Sequence, residues 1–290
     1  MATLVDHRCA APGGTVRMLL LPTGMVAPTQ RTLPDFALER PVTAAEAVAA
    51  GAARGAVYAQ GCSDLFAQFR EGLDCRTLVS LERVAELDAV EWDGSTLEIG
   101  SGVDHHAGAH DARVRAALPG LAAGWGSIAT ERIRRRATLG GNLMARRTRY
   151  EMPVMLDALG AELDFLTANG TVTVPPAALW DRAEPPGGLL RAVRITDVRQ
   201  VWFGYERSMR PLMTVAAAVR AGTVTMTVGS EYTRPYTVGA PLGTDPKDLA
   251  AMLPEAVGDA AGSARYRRHV AAVLLGRLLE RRTTGEGIPR

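Results

Sequence analysis

The chain has 290 residues, of which 47% are hydrophobic and 22% charged, and its net charge is +2. This is ordinary globular composition, long enough for two domains and a sizeable core, without the basic excess that draws a protein to nucleic acid or a membrane surface. The three cysteines, Cys9, Cys62 and Cys75, form no close pair and no metal-ligand spacing, and an iron–sulfur cluster normally takes four thiolates.

The lack of a disulfide framework favours a reducing compartment, read as the cytoplasm. No apolar run reaches the roughly 20 residues that span a bilayer. Pro22 and Gly24 interrupt the apolar stretch Met18 to Ala27, which argues against a secretory signal.

Residues 1–31 show no period and carry several prolines and glycines, so they read as an N-terminal extension. Thr43 and Glu46 stand at capping-box spacing ahead of an Ala-rich helix running to Arg54. A short strand, Ala56 to Ala59, ends at Gln60-Gly61-Cys62-Ser63-Asp64, which opens a helix with Leu65, Phe66, Phe69 and Leu73 on one face. Thr77 to Leu81 and Thr96 to Ile99 read as strands, with Asp93-Gly94 turning the chain ahead of the second. His105 to Gly124 reads as two helices broken near Pro119, and a basic segment leads from there to the turn Thr138-Leu139-Gly140-Gly141-Asn142. Met152 to Leu159 reads as a helix, followed by a hairpin across Asn169-Gly170. Ala183 to Gly188 is the best linker candidate. After it come strands at Leu189 to Ile195, Val201 to Glu206, Met213 to Arg220 and Thr223 to Val228, the last two joined through Ala221-Gly222, then helices at Pro246 to Leu253 and Ala264 to Arg281. The mixture predicts an α+β protein of two lobes.

Two segments have the chemistry of a ligand site. At Gln60 to Asp64 a small residue allows close backbone approach and the following helix start offers free N–H groups to a phosphate; a strand-to-helix turn with a good cap would look the same. At Thr138 to Asn142 two successive glycines expose backbone against which an aromatic ring or diphosphate can lie, with Thr138 and Asn142 able to donate and accept; a plain tight turn is the alternative. Seven arginines, Arg132, Arg134, Arg135, Arg136, Arg146, Arg147 and Arg149, bracket the second segment, either as a solvated face or as contacts to phosphate or a partner subunit. Cys62 at a helix start could have a lowered pKa, though a packed small side chain suits it better. The adjacent His105 and His106 point in different directions and make no metal pair. No spacing supports a catalytic triad, so neither a catalytic residue nor a metal site is assigned.

Taken together, these segments resemble the FAD-binding medium subunit of the molybdenum hydroxylases, the xanthine dehydrogenase and carbon monoxide dehydrogenase family, whose flavin domain is of the vanillyl-alcohol-oxidase type. The likeness runs from Phe36 to the end. It rests on Ile133 to Leu143, Leu97 to Val103, Ala59 to Leu65, Pro186 to Leu190 and Ser263 to Arg268, five motifs in the family's order. Departures from the family pattern are Gln60 for a first glycine, Arg135 for an asparagine, Glu151 for an aspartate, Met209 for an acidic residue and Gly188 for a glutamate. They bear on flavin affinity, flavin potential and the electron acceptor.

The resemblance implies a two-part FAD-binding domain over 32–184 and a C-terminal domain of a small sheet with helices over 185–290. It implies that backbone N–H groups of Gln60, Gly61, Cys62, Ser63 and Asp64 hold one side of the FAD diphosphate. Thr138, Gly140, Gly141 and Asn142 would hold the other side and the flavin-proximal end, Glu151 the adenosine ribose, and Leu189 would pack on the isoalloxazine. Electrons would arrive from 2Fe-2S clusters in a small partner subunit, while a large partner subunit holds the molybdenum cofactor, in a dimer of heterotrimers. The rival readings are a stand-alone FAD oxidase or dehydrogenase of a small molecule, and a flavin-free scaffold subunit.

Overall fold

A computed structural model describes residues 33–181, 187–208, 212–230 and 234–284. The N-terminal extension, Cys9, Met209 and most of the linker candidate lie outside them.

The first lobe opens with β1 (Ala37–Glu39), α1 (Ala44–Gly51), β2 (Ala56–Ala59), α2 (Leu65–Glu71) and β3 (Thr77–Ser80). The three strands form a parallel sheet in the order β1-β3-β2. The expected capping box is present: the Glu46 amide donates to Thr43 Oγ1 at 3.1 Å, and the Thr43 amide donates back to the Glu46 carboxylate. β4 (Val90–Trp92) and β5 (Leu97–Gly100) follow, joined through Gly94 at φ +95 while the Asp93 side chain accepts from the amides of Ser95 and Thr96, each at 2.7 Å.

Where two helices were expected there are three, α3 (His105–His110), α4 (Ala112–Ala117) and α5 (Pro119–Ser127). The extra break falls at Asp111, whose side chain caps α4 by accepting from the Arg113 and Val114 amides. Next come α6 (Glu131–Arg134), α7 (Leu139–Met144), α8 (Met152–Ala158), β6 (Glu162–Thr167), β7 (Gly170–Val174), α9 (Ala178–Asp181) and β8 (Leu189–Ile195). The Gly-Gly segment, expected as a turn, is the first turn of α7, capped by Thr138 Oγ1 accepting from the Gly141 amide at 3.1 Å.

A five-stranded sheet has the order β4-β5-β8-β6-β7. β8, assigned from the sequence to the C-terminal domain, is thus hydrogen-bonded on both sides inside the first lobe, to β5 and to β6. The chain changes lobes only after it.

The second lobe is an antiparallel sheet of β9 (Val201–Arg207), β10 (Thr214–Arg220), β11 (Thr223–Gly229) and β12 (Tyr236–Pro241), followed by α10 (Pro246–Ala251) and α11 (Ala264–Thr284). Ala221 and Gly222, at φ 47 and 75, make the predicted hairpin turn. β12 was not foreseen; it is an edge strand, where a terminal Pro241 costs no ladder bond. β10 is buried almost throughout because both faces are covered, the usual meaning of an unbroken apolar strand. Val215, Ala217 and Val219 join the core beneath α10 and α11, while Ala216 and Ala218 join the core of the first lobe. α5 lies on β9 through glycines: a Cβ on Gly120 would overlap the Phe203 carbonyl oxygen, and one on Gly124 would sit 3.0 Å from Tyr205 Cβ. Among the described residues no helix is long and apolar enough to cross a membrane.

Candidate functional site

The two glycine-bearing segments meet. A Cβ on Gly61, at φ +66, would overlap the Arg136 carbonyl oxygen, and Arg136 Nε in turn donates to the Gly61 carbonyl at 3.4 Å. The first turn of α7 is held from below by the Leu139 and Gly140 amides, which donate to the carbonyls of Val103 and Ser101 at 2.9 and 2.7 Å. Gly140 has no room to change, since its Cβ would lie 2.8 Å from Ser101 Cβ. Gly141 is different. Its φ lies outside the left-handed region, and a Cβ there would meet only Thr138 Oγ1 at 3.0 Å and the Gln60 carbonyl oxygen at 4.0 Å. It faces the gap between the two segments.

That gap opens into a cavity of about 560 Å³, within the range of cofactor pockets. Every residue to which the resemblance gives a part in holding FAD lines it except Gly61, which lines a smaller polar pocket on the other side of Gln60. The individual side chains modify the expected roles. Gln60 Nε2 is turned toward Asp88 Oδ1 and the Gly102 carbonyl, both at 3.4 Å. The Cys62 amide, expected to be free for a phosphate, donates to the Gln60 carbonyl at 2.7 Å. Burial, with Glu82 nearby, pushes the Cys62 thiol up against the opposing effect of Arg136, which is the reverse of an activated nucleophile.

The Asp64 carboxylate accepts from Tyr150 Oη at 3.0 Å, from Gln68 Nε2 at 2.7 Å and from Arg147 Nε at 3.2 Å. Burial raises its pKa, but these donors and the arginine charge outweigh that and hold it below the ordinary carboxylate range. Burial and Asp64 push the Tyr150 phenol up to about 12. Leu189 is buried at the start of β8 and reaches the cavity beside Gly188. Gly188 has φ +103 and its Cβ position overlaps the Leu166 carbonyl oxygen, so this backbone would not take the glutamate expected there.

Glu151 is 9% exposed and receives two donors from the second lobe, Tyr205 Oη at 2.6 Å and Arg207 Nη1 at 3.2 Å, both on Oε1. Neither partner could be found from the sequence, because strand β9 is brought to α8 only by the docking of the lobes. Asn142 lines the cavity with its Oδ1 buried and unpaired.

Two features were not foreseen. His105, read as part of no site, lines the cavity and is 1% exposed. Nothing local in the sequence marks it, because its partner Trp125 lies twenty residues away in another helix. The arginine run, read as a solvated face or as contacts to phosphate or a partner, is largely spent within the chain. Arg134 and Arg135 pair with Glu131 at 3.0 and 2.7 Å, and Arg147 bridges Asp64 and Glu71. No group of three or more potential metal ligands occurs among the described residues.

The cavity is a partly open, partly apolar cleft whose lining residues include ones with buried unpaired polar atoms. A large mixed ligand with an aromatic ring and hydrogen-bonding edges suits it. Comparison with known proteins agrees. The chain is 28% identical over 231 residues to the carbon monoxide dehydrogenase medium chain of Afipia carboxidovorans, a match spanning 70% of this chain and 80% of that one. Its structure is similar to a chain of reconstituted CO dehydrogenase from Oligotropha carboxidovorans, with TM-score 0.74 at 25% identity over 86% of this chain and 98% of that chain. It has the fold of a chain of quinoline 2-oxidoreductase from Pseudomonas putida 86, with TM-score 0.75 at 22% identity over 88% and 99% of the two chains. The family described as the FAD binding domain in molybdopterin dehydrogenase matches residues 34–195, more than half of the chain, and the chain belongs to that family.

Proposed function

We propose that this chain is the flavoprotein subunit of a molybdenum-containing hydroxylase or dehydrogenase. It accepts electrons from iron–sulfur clusters in a small partner subunit and passes them to an external acceptor. A large partner subunit holds the molybdenum cofactor and acts on the organic substrate. Two such heterotrimers pair, and the complex works in the reducing cytoplasm. The FAD-binding domain runs to Ile195, where both β8 and the family match end, and the C-terminal domain follows.

The observation that carries this reading is the cavity between Gln60–Asp64 and Thr138–Asn142, lined by residues of both glycine-bearing segments together with Glu151 and Leu189. Bound FAD supplies the chemistry, since a flavin exchanges electrons singly or in pairs and so joins one-electron clusters to two-electron acceptors. The protein binds and shapes. Gly141 keeps the gap between the two segments open for the diphosphate, and Thr138 and Asn142 offer side-chain polar groups there. Glu151 keeps Oε2 for the adenosine ribose while Tyr205 and Arg207 hold Oε1. Leu189 supplies an apolar wall for the isoalloxazine.

The test is purification of the intact complex from its source, with identification of subunits and released cofactors by mass spectrometry. The expected result is a cysteine-rich small subunit, a large molybdenum subunit and FAD, with flavin reduction by substrate only when the partners are present. Turnover of a small molecule by the purified chain alone would refute the proposal in favour of a stand-alone enzyme. A colourless chain inside an active complex would refute it in favour of a scaffold.

A further inference from the structure

His106 is paired with His110, one turn further along α3, and not with its neighbour His105. Residues four apart share a helix face, and the two imidazoles stack with centroids 4.2 Å apart and planes 23° from parallel. Both stand at the surface: His110 is exposed, and the His106 side chain is 26% exposed. His110 Nδ1 lies 2.8 Å from the His106 carbonyl oxygen, which can only accept. The hydrogen of the neutral ring therefore resides on Nδ1 and the lone pair on Nε2. His106 Nδ1 lies 2.9 Å from Glu131 Oε1 on α6. The contact is too bent for a straight hydrogen bond, yet a carboxylate this close favours the proton on that nitrogen and again leaves the lone pair on Nε2. Among the described residues neither Nε2 has a partner.

Two surface imidazoles with both Nδ1 atoms held and both Nε2 atoms free have the donor arrangement of a metal chelate. A ligating histidine commonly gives its other ring N–H to a carboxylate or a backbone carbonyl, which fixes the tautomer and orients the ring. Here Glu131 serves His106, and the His106 carbonyl serves His110. Histidines at i and i+4 on one helix face can close on a single ion. Two imidazole nitrogens bound at about 2.0–2.1 Å lie roughly 3.0–3.4 Å apart, so rings stacked at 4.2 Å are within reach of a shared ion. Imidazole suits borderline first-row cations, whereas hard Mg²⁺ and Ca²⁺ take oxygen ligands. Two protein ligands leave the other coordination positions to water, which makes the site open and exchangeable.

We infer that His106 and His110 form a surface site for a borderline divalent transition-metal cation, Cu²⁺, Ni²⁺ or Zn²⁺, bound through both Nε2 atoms, with Glu131 as the positioning residue for His106. The site stands apart from the cavity, which His105 of the same helix lines and these two histidines do not. It is independent of the flavin reading.

The test uses the full chain without a purification tag. Cu²⁺ is the first probe, since it stands highest in the affinity order of the divalent cations. Its electron paramagnetic resonance spectrum should show two bound nitrogens in wild type and one in His106→Gln or His110→Ala. The Cu²⁺ Kd should rise roughly tenfold or more in either variant, because the second bond of a chelate forms at a high effective concentration. Glu131→Gln should weaken binding up to about tenfold with the nitrogen count unchanged. In wild-type protein carrying 15N-labelled histidine, Zn²⁺ should move the Nε2 resonances of His106 and His110 together, a readout that needs no variant to fold, and Mg²⁺ should move neither. Parental affinity and nitrogen count in both single histidine variants would put the metal elsewhere on the chain and overturn the site. A wild-type spectrum in which only one of the two rings responds to Zn²⁺ would do the same, and parental affinity in Glu131→Gln would remove the positioning role.

Discussion

Gly141→Val separates the cofactor site from the fold. In the structure, position 141 lies in the first turn of α7 with an ordinary helical φ, so a side chain there is not strained by the backbone. Replacing glycine in a helix gains up to about 1 kcal/mol of propensity for Ala and somewhat less for Val. Against this, the new Cβ sits 3.0 Å from Thr138 Oγ1 and disturbs a cap bond worth about 1 kcal/mol. The two effects nearly cancel, and the melting temperature should move by no more than about 4 °C. Binding is another matter. The valine methyls point into the gap whose far side is the Gln60 carbonyl, 4.0 Å from the Cβ. A diphosphate in that gap would lose at least two hydrogen bonds to charged oxygens, about 1.5–3 kcal/mol each, or roughly two to four orders of magnitude in Kd. The assay is FAD titration of the apo-chain beside a circular-dichroism melt. Gly61→Ala is the contrasting control: φ +66 and overlap with the Arg136 carbonyl should cost stability as well as flavin. Soluble Gly141→Val protein with normal flavin content would show that the gap is not where the cofactor passes.

FAD should be non-covalent, so acid precipitation should release all flavin to the supernatant; flavin retained on the polypeptide would implicate Cys62, the thiol on the cavity wall. Arg147→Glu should lower flavin content in the isolated chain, because it breaks a part-buried pair with Asp64 and leaves two carboxylates facing a third charge, at a cost of about 2–3 kcal/mol; Arg132→Glu, on the exposed side of α6, should leave flavin content unchanged. His105 is neutral when folded with a pKa of about 4, and about 6.5 when unfolded, so its contribution is fully present above pH 6.5 and is lost as pH falls toward 4. Urea titrations at pH 7 and pH 5 should show about 2 kcal/mol more loss in wild type than in His105→Gln. Asp259→Ala strips the partner from Arg267, which is fully buried and donates to both carboxylate oxygens at 2.8 and 2.7 Å, and should cost about 3–5 kcal/mol, seen as a melting temperature lower by roughly 10 °C.

What was legible in the sequence was what short stretches decide by themselves. The Thr43–Glu46 capping box, the Asp93-Gly94 turn and the Ala221-Gly222 hairpin each close within a few residues, and each is present in the structure. α7 was illegible for the opposite reason. Two glycines argue against a helix, and this one is held by the Val103 and Ser101 carbonyls about forty residues away. β8 looked like the start of a new domain because a Pro-Gly segment precedes it, yet its hydrogen-bond partners are strands on either side in the first lobe. The glycine segments marked where the cavity lies, since small residues at close approach leave a trace in the sequence. The side-chain partnerships along it leave none: His105 needs Trp125, and Glu151 needs Tyr205 and Arg207 from the other lobe.

The pairing of charges around the cavity bears on where a partner subunit can dock. An arginine that already bridges two carboxylates of its own chain has little left to offer an interface, and moving it would disturb the loop it holds. Arg147 is in that position, tied to Asp64 at the cavity wall and to Glu71 on α2. Arg134 and Arg135 share Glu131, and Arg134 also donates to the Ile128 carbonyl at 2.7 Å. These side chains brace the cavity wall from outside, so much of the basic run, read from the sequence as a solvated face or as contacts to phosphate or a partner, is held within the chain. Outside these pairs the run leaves exposed Arg132 and Arg149, beside the half-exposed apolar Ile133, which also lines the cavity. A partner seated on Ile133 would touch the wall of the cavity itself.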